Sequence, residues 1–450
     1  MKKLLSILLL TSFFAHSQTN PAITKWLQNT TITGNYYMSG NSTAISNGIL
    51  VNCQQVRYSA TSVYVNATGM PAYKVGPYLD NNPNQAGNQN AIFKLPLNPT
   101  PNTGTATATT GGNIGIFING VAMFDFRDGV AWSSTTNAPC GGPGNTACTG
   151  TPSWYRDAIV AERPGFDCSK GHPAGTNYHH HQNPSAFDMD LVVLSNVCNL
   201  YDADGLYTIN TTQHSPLIGF AYDGFPVYGA YGYANADGTG GIARIKSGYQ
   251  LRNITVRTHW ADGTDVGDGP AVSTTYPLGY YREDYEWISH AGDAGYLDVH
   301  NGRFCITPEY PNGIYCYFAT VDANHNSAYP YLIGPTYYGN KTGAKVTTVT
   351  ETTSTYTPSL GLVNSYLENT EIKIIPNPAS DIVAIQIDGL VVNNLKIDLY
   401  DILGKLVKST EINKGQSIAY FDVQDVYNGT YFIKISDGIN SVSKTIIISK

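Results

Sequence analysis

The chain has 450 residues and a formal net charge of −7, and only 13% of its residues are charged. This balance, with no basic patch, excludes a nucleic-acid-binding protein. Beyond the N-terminal residues, no apolar stretch approaches the roughly 20 residues that a membrane span needs, which excludes an integral membrane protein. The 33 tyrosines and 45 glycines, among many Asn and Thr residues, favour an all-β protein, because aromatic residues form strands and Gly and Asn form turns.

The N-terminus has the pattern of a secretory signal peptide over residues 1–17. Lys2 and Lys3 precede a short apolar core over residues 4–10, and Ala15-His16-Ser17 has small residues at the positions before a cleavage site. The apolar core is too short to cross a membrane. We therefore predict export, with cleavage before Gln18.

An exported chain with seven cysteines is expected to form disulfides. The candidate pairs are Cys140 with Cys148, Cys168 with Cys198, and Cys305 with Cys316. The first pair flanks a Gly-rich loop that a bridge could close. The third pair lies almost symmetrically about a predicted turn at Pro311-Asn312-Gly313, and the second pair follows by elimination. Cys53 is then the unpaired cysteine, which we interpret as a buried structural thiol.

Short apolar runs between turn residues predict antiparallel strands through most of the chain, for example at residues 48–53, 62–65 and 114–121. No apolar period of 3.6 residues is sustained, so helices should be few and short. A Thr- and Ser-rich composition predicts a linker over residues 346–370. The predicted fold is all-β, with a large, mostly antiparallel β domain at 18–345 and a small Ig-like β-sandwich at 371–450.

Four of the ten histidines lie within residues 172–181. Residues two apart on a strand share a face, so His179 and His181 would lie side by side, with Tyr178 and His180 on the other face. Imidazole is a ligand for zinc, copper, iron or nickel, so the pair predicts a metal site. His172, within Gly171-His172-Pro173, fits a turn in which the side chain makes local hydrogen bonds, and we assign it a supporting role.

The rest of the predicted site comes from farther along the chain. His214 or His300 would provide a third nitrogen ligand, and a carboxylate would bind the metal or orient an imidazole. The candidate supporting residues are Tyr178, His172, Asp223, Asp298 and Tyr228. Three protein ligands and one open position would form a catalytic arrangement, although no catalytic residue is assigned. Copper and zinc both fit such a site, and the sequence does not separate them.

The central region resembles a known family. Tyr178-His179-His180-His181 is similar to the Tyr-His-Tyr-His motif of the YHYH family, with His180 in place of the second Tyr. Gly171-His172-Pro173, His214-Ser215-Pro216 and Asn301-Gly302-Arg303-Phe304 also match, in the same order. The resemblance spans roughly residues 30–340. It implies where the site lies and implies no reaction.

The C-terminal region resembles the type IX secretion system sorting domain of Bacteroidota. The residues that carry this resemblance are Pro376-Asn377-Pro378, Asp401-Ile402-Leu403-Gly404 and Asn428-Gly429-Thr430-Tyr431. It implies that the type IX secretion machinery is a partner. It also implies passage across the outer membrane, followed by release or attachment to the cell surface.

We therefore expect a secreted or cell-surface protein with a His-rich metal site, of a kind that could serve a metal-dependent enzyme of unknown substrate. The alternative is a non-enzymatic module that binds an extracellular glycan or protein through its tyrosines, with a structural His/Tyr network. Convergence of His179, His181 and a third imidazole would favour the metal. A row of exposed tyrosines would favour the binding module. The extracellular ligand stays unknown in either case.

Overall fold

The computed structural model describes residues 20–79, 84–142, 144–357, 371–387, 391, 394–437 and 441–450. The chain divides into two compact units, one up to Thr357 and one from Pro358. The predicted signal peptide lies outside the described residues. Among the helices of the described residues, none has the length and apolar character needed to cross a membrane.

The first unit is built almost entirely of short strands. The strands are β1 (Thr33–Met38), β2 (Asn41–Leu50), β3 (Cys53–Tyr58), β4 (Ser62–Ala67), β5 (Ala91–Pro96), β6 (Asn113–Phe117), β7 (Ala122–Phe124), β8 (Arg127–Ser133), β9 (Ala138–Cys140), β10 (Trp154–Asp157), β11 (His172–Ala174), β12 (Asn177–His180), β13 (Leu217–Ala221), β14 (Pro226–Tyr228), β15 (Tyr231–Tyr233), β16 (Ile242–Arg244), β17 (Tyr249–Leu251), β18 (Tyr285–Trp287), β19 (Gly302–Cys305), β20 (Ile314–Phe318), β21 (Ala344–Val346) and β22 (Ser354–Tyr356).

Helices are few and short, as the sequence predicts. The α-helices are α1 (Pro21–Thr24) and α2 (Ala158–Glu162), and the 3₁₀ turns are Arg163–Gly165, Phe187–Met189, Val197–Asn199 and Arg282–Asp284. In the described part of the chain, no helix exceeds five residues. Stability must therefore come from sheet packing, since isolated helices of this length do not persist in water.

An eight-stranded sheet carries the His-rich region at one edge. Its strand order is β11-β12-β7-β6-β13-β14-β20-β19, and only the pairs β12 with β7 and β14 with β20 are parallel. The central strands β6 and β13 are almost wholly buried, with Ile116, Phe117, Ile218 and Phe220 in the main core. The predicted all-β, mostly antiparallel fold is confirmed.

The predicted linker begins later than the sequence indicates. The five-stranded sheet has the order β21-β5-β4-β3-β22, so strands from residues 344–356 form both of its edges. Thr- and Ser-rich composition does not exclude a strand, because β-branched Thr is well accommodated in a sheet. Residues 346–357 therefore belong to the first unit. The remainder of the predicted linker, 358–370, lies outside the described residues.

The cysteines follow the predictions in all but one pair. Disulfides join Cys140 to Cys148 and Cys168 to Cys198, and Cys53 is buried and free. The predicted bridge between Cys305 and Cys316 is absent, and both are free thiols. The β19–β20 register places Cys305 opposite Ile314 and Cys316 opposite Arg303, so the two cysteines are diagonal neighbours and not the directly opposite pair that the sequence symmetry predicts.

The second unit is the small β-sandwich that the sequence predicts. Its strands are β23 (Ile372–Ile375), β24 (Ile382–Ile387), β25 (Leu395–Tyr400), β26 (Leu406–Ile412), β27 (Ile418–Asp422), β28 (Gly429–Ser436) and β29 (Ser441–Ile448). They form two antiparallel sheets, β23-β24-β27 and β26-β25-β28-β29. Alternate residues such as Val383, Ile397 and Ile433 point into a core of its own.

The two disulfides should differ in their contribution to stability, because the chain entropy that a bridge removes grows with loop length. Cys168 and Cys198 are 30 residues apart, and Cys140 and Cys148 are 8 apart. We expect replacement of Cys168 and Cys198 by Ala to lower the free energy of unfolding by about 3.5 kcal/mol, against about 2.5 kcal/mol for the shorter loop. Urea unfolding of both double variants measures this, and equal losses would contradict the ranking.

Candidate metal centre

Two neighbouring strands place three histidines together. β11 and β12 pair antiparallel with His172 opposite His179, and on its other side β12 runs parallel to β7 with His179 beside Ala122. Directly opposite residues in an antiparallel pair have Cβ atoms about 4.5–5.5 Å apart. His181 follows β12 directly and returns to the face of His179. The sequence in this short segment therefore brings three imidazoles to one point.

The ligand atoms of these side chains are close to one another. His179 Nε2 and His181 Nε2 are 3.0 Å apart, and one ring nitrogen from each of the three histidines lies within 4.8 Å of the others. Glu162 completes the group, because its Oε2 lies 3.2 Å from Nε2 of His172 and 3.2 Å from Nε2 of His181. The exposed fractions are 1% for His179, 3% for His181 and 7% for His172.

Backbone carbonyls fix the tautomers of two of the imidazoles. His179 Nδ1 lies 2.9 Å from the carbonyl oxygen of Asn177, and His181 Nδ1 hydrogen-bonds the carbonyl oxygen of Asp125. A carbonyl oxygen only accepts, so each Nδ1 must donate its proton. In the neutral rings both Nε2 atoms then carry lone pairs that face each other. A proton or a metal ion between them would relieve this repulsion, and carbonyl-oriented imidazoles are typical of metal ligands.

The electrostatics of the group favour a cation. Burial alone would raise the pKa of Glu162, but its contacts with His172 and His181 outweigh burial and lower that pKa to about 2. Burial would likewise lower the pKa of His181, but the Glu162 carboxylate outweighs it and raises that pKa. Burial, reinforced by the neighbouring imidazoles, lowers the pKa of His179 well below its usual value. The Glu162 carboxylate therefore stays charged, and the His179 ring stays neutral, with a lone pair on Nε2 that can bind a cation.

Aromatic rings and a short helix hold the group in place. The ring of Phe124 stacks on His179 with centroids 3.8 Å apart, and Phe166 meets His172 edge-on at 4.8 Å. Glu162 is the last residue of α2, whose N-cap Asp157 accepts hydrogen bonds from the first turn. A second Asp157 oxygen accepts from the Tyr331 hydroxyl at 2.7 Å, which ties this helix to the core.

The opposite face of β12 carries a separate polar network. His180 Nε2 lies 2.6 Å from the Tyr73 hydroxyl, and its Nδ1 donates to the carbonyl oxygen of Lys170. Tyr178 donates to the buried Asp167 carboxylate at 2.9 Å. The predicted alternation is confirmed, since His180 takes no part in the imidazole group. The departure from the family motif therefore falls on the face away from His179 and His181.

The two histidines expected to complete the site lie elsewhere. His214 packs against Tyr228 and Tyr233, and its Nδ1 donates to the carbonyl oxygen of Ser215. His300 packs against Tyr338 and contacts Thr336. The structure instead brings in His172, which the sequence assigned to a turn. Its turn-like Gly-His-Pro sequence lies in an edge strand, a position in a sheet where proline is tolerated.

The other predicted supporting residues also hold different parts of the first unit. Asp223 accepts hydrogen bonds from Tyr317 and the backbone N–H of Gly339, and Asp298 accepts from the Tyr315 hydroxyl. Tyr228 donates to Glu309 at 2.9 Å. None of the three belongs to the group of potential metal ligands found in the described residues. Of the supporting set, only His172 is in the imidazole group, and Tyr178 lies on the reverse face of the same strand.

Glu162 is the functional candidate that the sequence does not identify. It lies ten residues before His172 and follows no motif that links a glutamate to a histidine pair. The one sequence feature that could have pointed to Glu162 is the scarcity of carboxylates before the histidines. Residues 154–181 contain only three, Asp157, Glu162 and Asp167. The group so formed has three imidazoles and one carboxylate, which are ligand types that suit zinc and copper.

Comparisons with known proteins place the chain in a family. The family model described as YHYH protein matches residues 92–330, more than half of the chain, and this chain therefore belongs to the YHYH protein family. A second model, described as a secretion system C-terminal sorting domain, matches residues 373–449. No curated protein matches the chain. The sorting domain makes this a protein that the type IX secretion machinery handles and that is secreted or attached to the cell surface.

Asp223 provides a test of the buried carboxyls around the sheet. Burial raises its pKa to about 6, against the hydrogen bonds from Tyr317, Gly339 and Phe225. A carboxyl with a higher pKa in the folded state binds more protons there, so its contribution to the unfolding free energy falls as pH rises from about 4 to 6. In the wild type, Asp223 should lower the free energy of unfolding by about 3 kcal/mol as pH rises from 3 to 7. We expect this pH dependence to be absent in Asp223→Asn.

Urea unfolding of the wild type and Asp223→Asn at a series of pH values measures this effect as a change in slope, whatever the absolute stability of the variant. The control is Asp268→Asn, at an exposed position. Parallel pH profiles for the wild type and Asp223→Asn would show that the prediction is wrong.

Proposed function

We propose that this protein carries a transition-metal ion outside the cell, bound by Nε2 of His172, His179 and His181 and by Oε2 of Glu162. One observation carries the proposal: the Nε2 atoms of His179 and His181 face each other at 3.0 Å while both Nδ1 atoms donate to carbonyl oxygens. Two buried lone pairs at that distance need a cation between them. A proton would lie on His181, whose pKa the Glu162 carboxylate raises, because burial disfavours the charged form of His179; a bound metal ion would compete with that proton for the same position.

The spacing of the ligand atoms supports a shared ion. Ligand atoms about 2.0–2.1 Å from one metal are about 2.9–3.4 Å apart when the angle between them is about 90–110°. The contacts of His179 with His181 and of Glu162 with His172 and His181 are 3.0, 3.2 and 3.2 Å. These are the edge lengths of a coordination polyhedron. Two of the imidazoles, His172 and His181, aim at one carboxylate oxygen, and His179 meets this group through His181.

Glu162 is the ligand closest to solvent, and this bears on what the ion can do. Its side chain is 22% exposed, whereas the side chains of His172 and His181 are 9% and 3% exposed. Water or a substrate would therefore reach the ion from the side of Glu162. Three imidazoles and one carboxylate fill the four positions of a tetrahedral site, so a metal-dependent activity would need the ion to take a fifth ligand on the Glu162 side. Zinc and copper both fit the donor set.

The alternative function, a module that binds through its tyrosines, loses its main support. Most tyrosines of the first unit lie in the core, among them Tyr64, Tyr178, Tyr228, Tyr281 and Tyr317. Their hydroxyls bond to internal partners such as Asp167, Asp223 and Glu309. Because these tyrosines are buried and hydrogen-bonded inside the protein, they cannot form an exposed surface that binds a glycan.

Metal content is the direct test. We expect one metal ion per chain in the purified protein, measured by plasma mass spectrometry, and its loss in His172→Ala, His179→Ala and His181→Ala. Loss of a residue that only orients a metal ligand weakens metal binding about 10- to 100-fold. Loss of a direct ligand should weaken it by more than that. Glu162→Gln keeps the shape of the side chain and removes its charge, so it tests the carboxylate alone.

The matched controls are His214→Ala and His300→Ala, which remove the histidines that the sequence favoured and that lie outside the group. Both should retain stoichiometric metal. Metal loss in His214→Ala with retention in His172→Ala would overturn the ligand assignment. A wild type that holds no metal, and binds none on titration with zinc or copper, would overturn the proposal.

Metal removal should also lower stability, because an ion that binds only the folded state stabilises it by mass action. At a free concentration of 100 times Kd, the gain is about 2.7 kcal/mol. We expect Tm to fall after dialysis against a chelator, to recover on addition of the metal, and to be insensitive to both in His179→Ala. Equal shifts in the wild type and the variant would indicate non-specific binding.

A further inference from the structure

Two free thiols lie together at the other end of the eight-stranded sheet from the imidazole group. Cys305 in β19 and Cys316 in β20 are diagonal neighbours on one face, because Cys305 pairs with Ile314 and Cys316 with Arg303. Both are buried, and the Cys316 thiol donates to the carbonyl oxygen of Ile314 at 3.5 Å while also interacting with the sulfur of Cys305. The pair is therefore a buried dithiol on one face of two neighbouring strands.

A buried arginine on the same face lacks an anion. The terminal nitrogens of Arg303 donate to the carbonyl oxygens of Tyr233, Ala234 and Ala294, and its buried Nε has no hydrogen-bond partner within the described ranges. In that part of the chain, Arg303 also forms no ion pair with a carboxylate. A buried, uncompensated charge costs several kcal/mol, so a counter-charge next to this guanidinium would be strongly favoured.

Cys305 is the group placed to supply that charge. The hydrogen bond from Cys316 lowers the pKa of Cys305 to about 7, against burial and with help from Arg303. Burial and the contact with Cys305 raise the pKa of Cys316 well above its usual value. Glu309 acts on the Cys316 side of the pair, and Lys25 forms a salt bridge with it at 3.2 Å. The environment therefore produces one thiolate and one thiol.

The tyrosines nearest to the pair do not compete for this role. The hydroxyl of Tyr228 donates to Glu309, and burial raises the pKa values of Tyr228 and Tyr310. Glu309 raises and Arg303 lowers the pKa of His214, but burial is the largest effect, so the pKa is lowered and the ring is neutral. Among the groups around the dithiol, only Cys305 is poised to become an anion near neutral pH.

We propose that Cys305 and Cys316 form a reversible dithiol–disulfide couple, in which Arg303 holds Cys305 as the attacking thiolate. The co-reactant is a low-molecular-weight disulfide. The Cys305 thiolate attacks one of its sulfurs and releases one thiolate, which takes up a proton. Cys316 then loses its proton, attacks the Cys305 sulfur and releases the second thiolate. The protein loses two electrons and gains one S–S bond, and the reagent is reduced to two thiols.

The position of the pair in the fold makes the exchange possible. β19 is an edge strand of the sheet, and edge strands open locally at a lower free energy than central ones. Export also takes the protein into a compartment where disulfides persist. The bridges Cys140–Cys148 and Cys168–Cys198 are already formed and serve as internal references.

The test is a redox titration of the full protein in buffers with varied ratios of reduced to oxidised glutathione. After acid quenching and alkylation, peptide mass spectrometry should show Cys305 and Cys316 changing between two alkylated thiols and one linked pair, while the reference bridges stay linked. Alkylated thiols in every buffer would overturn the proposal, and so would a bridge that persists in the most reducing one.

The role of Arg303 is tested by the pH profile of Cys305 alkylation with iodoacetamide. We expect a midpoint near pH 7 in the wild type, and in Arg303→Met a shift to higher pH with an at least 10-fold slower reaction at pH 7. Arg244→Met, on a different strand, is the matched control. If Arg303→Met does not fold, Cys316→Ser also tests the Cys305 thiolate. A serine in place of Cys316 should interact more weakly with the Cys305 sulfur and so raise the pH midpoint of Cys305 alkylation. A wild-type midpoint near pH 9 would refute the thiolate.

Discussion

The candidate metal centre depends on the register between β11 and β12. His172 lies opposite His179, and on the other side of β12 the parallel strand β7 sets the same residue beside Ala122. Because side chains alternate, a slip of one residue would turn an imidazole to the wrong face. Gly171 protects this register: a Cβ atom there would overlap the hydroxyl of Tyr178, which is anchored to the buried Asp167.

The two faces of β12 satisfy their polar groups in different ways. On one face, each polar atom of Tyr178 and His180 has a protein partner, so that face is complete without any ligand. On the other face, the Nε2 atoms of His179 and His181 have only each other and a carboxylate. Buried polar groups without partners are costly, so the second face is where an ion would lower the free energy. The two faces of β12 thus show the difference between a polar network that is satisfied by the protein alone and one that an ion would stabilise.

The sequence predicts local features of this site and misses the distant ones. Strand alternation correctly separates His179 and His181 from His180, because the period of two is a property of the backbone. It cannot reveal that Gly171-His172-Pro173 opens an edge strand, since Gly and Pro also mark turns. Glu162 was missed because it is placed by a helix of five residues, below the length at which an apolar period is visible. Sequence symmetry about the turn predicts that Cys305 and Cys316 lie directly opposite each other, and it cannot detect the two-residue offset in register that makes them diagonal neighbours.

The missed residues change the kind of site that the chain encodes. A set completed by His214 or His300 would need long loops to close, and the entropy cost of closure grows with loop length. The observed set lies within residues 162–181, in a helix end, an edge strand and its neighbour. A short segment can bring these ligands together once β12 is paired with β7, so the sheet supplies the rigid part of the site. His172 and Glu162, which the sequence does not identify as ligands, lie on the edge strand and on α2, where small shifts toward an ion would disturb the core least.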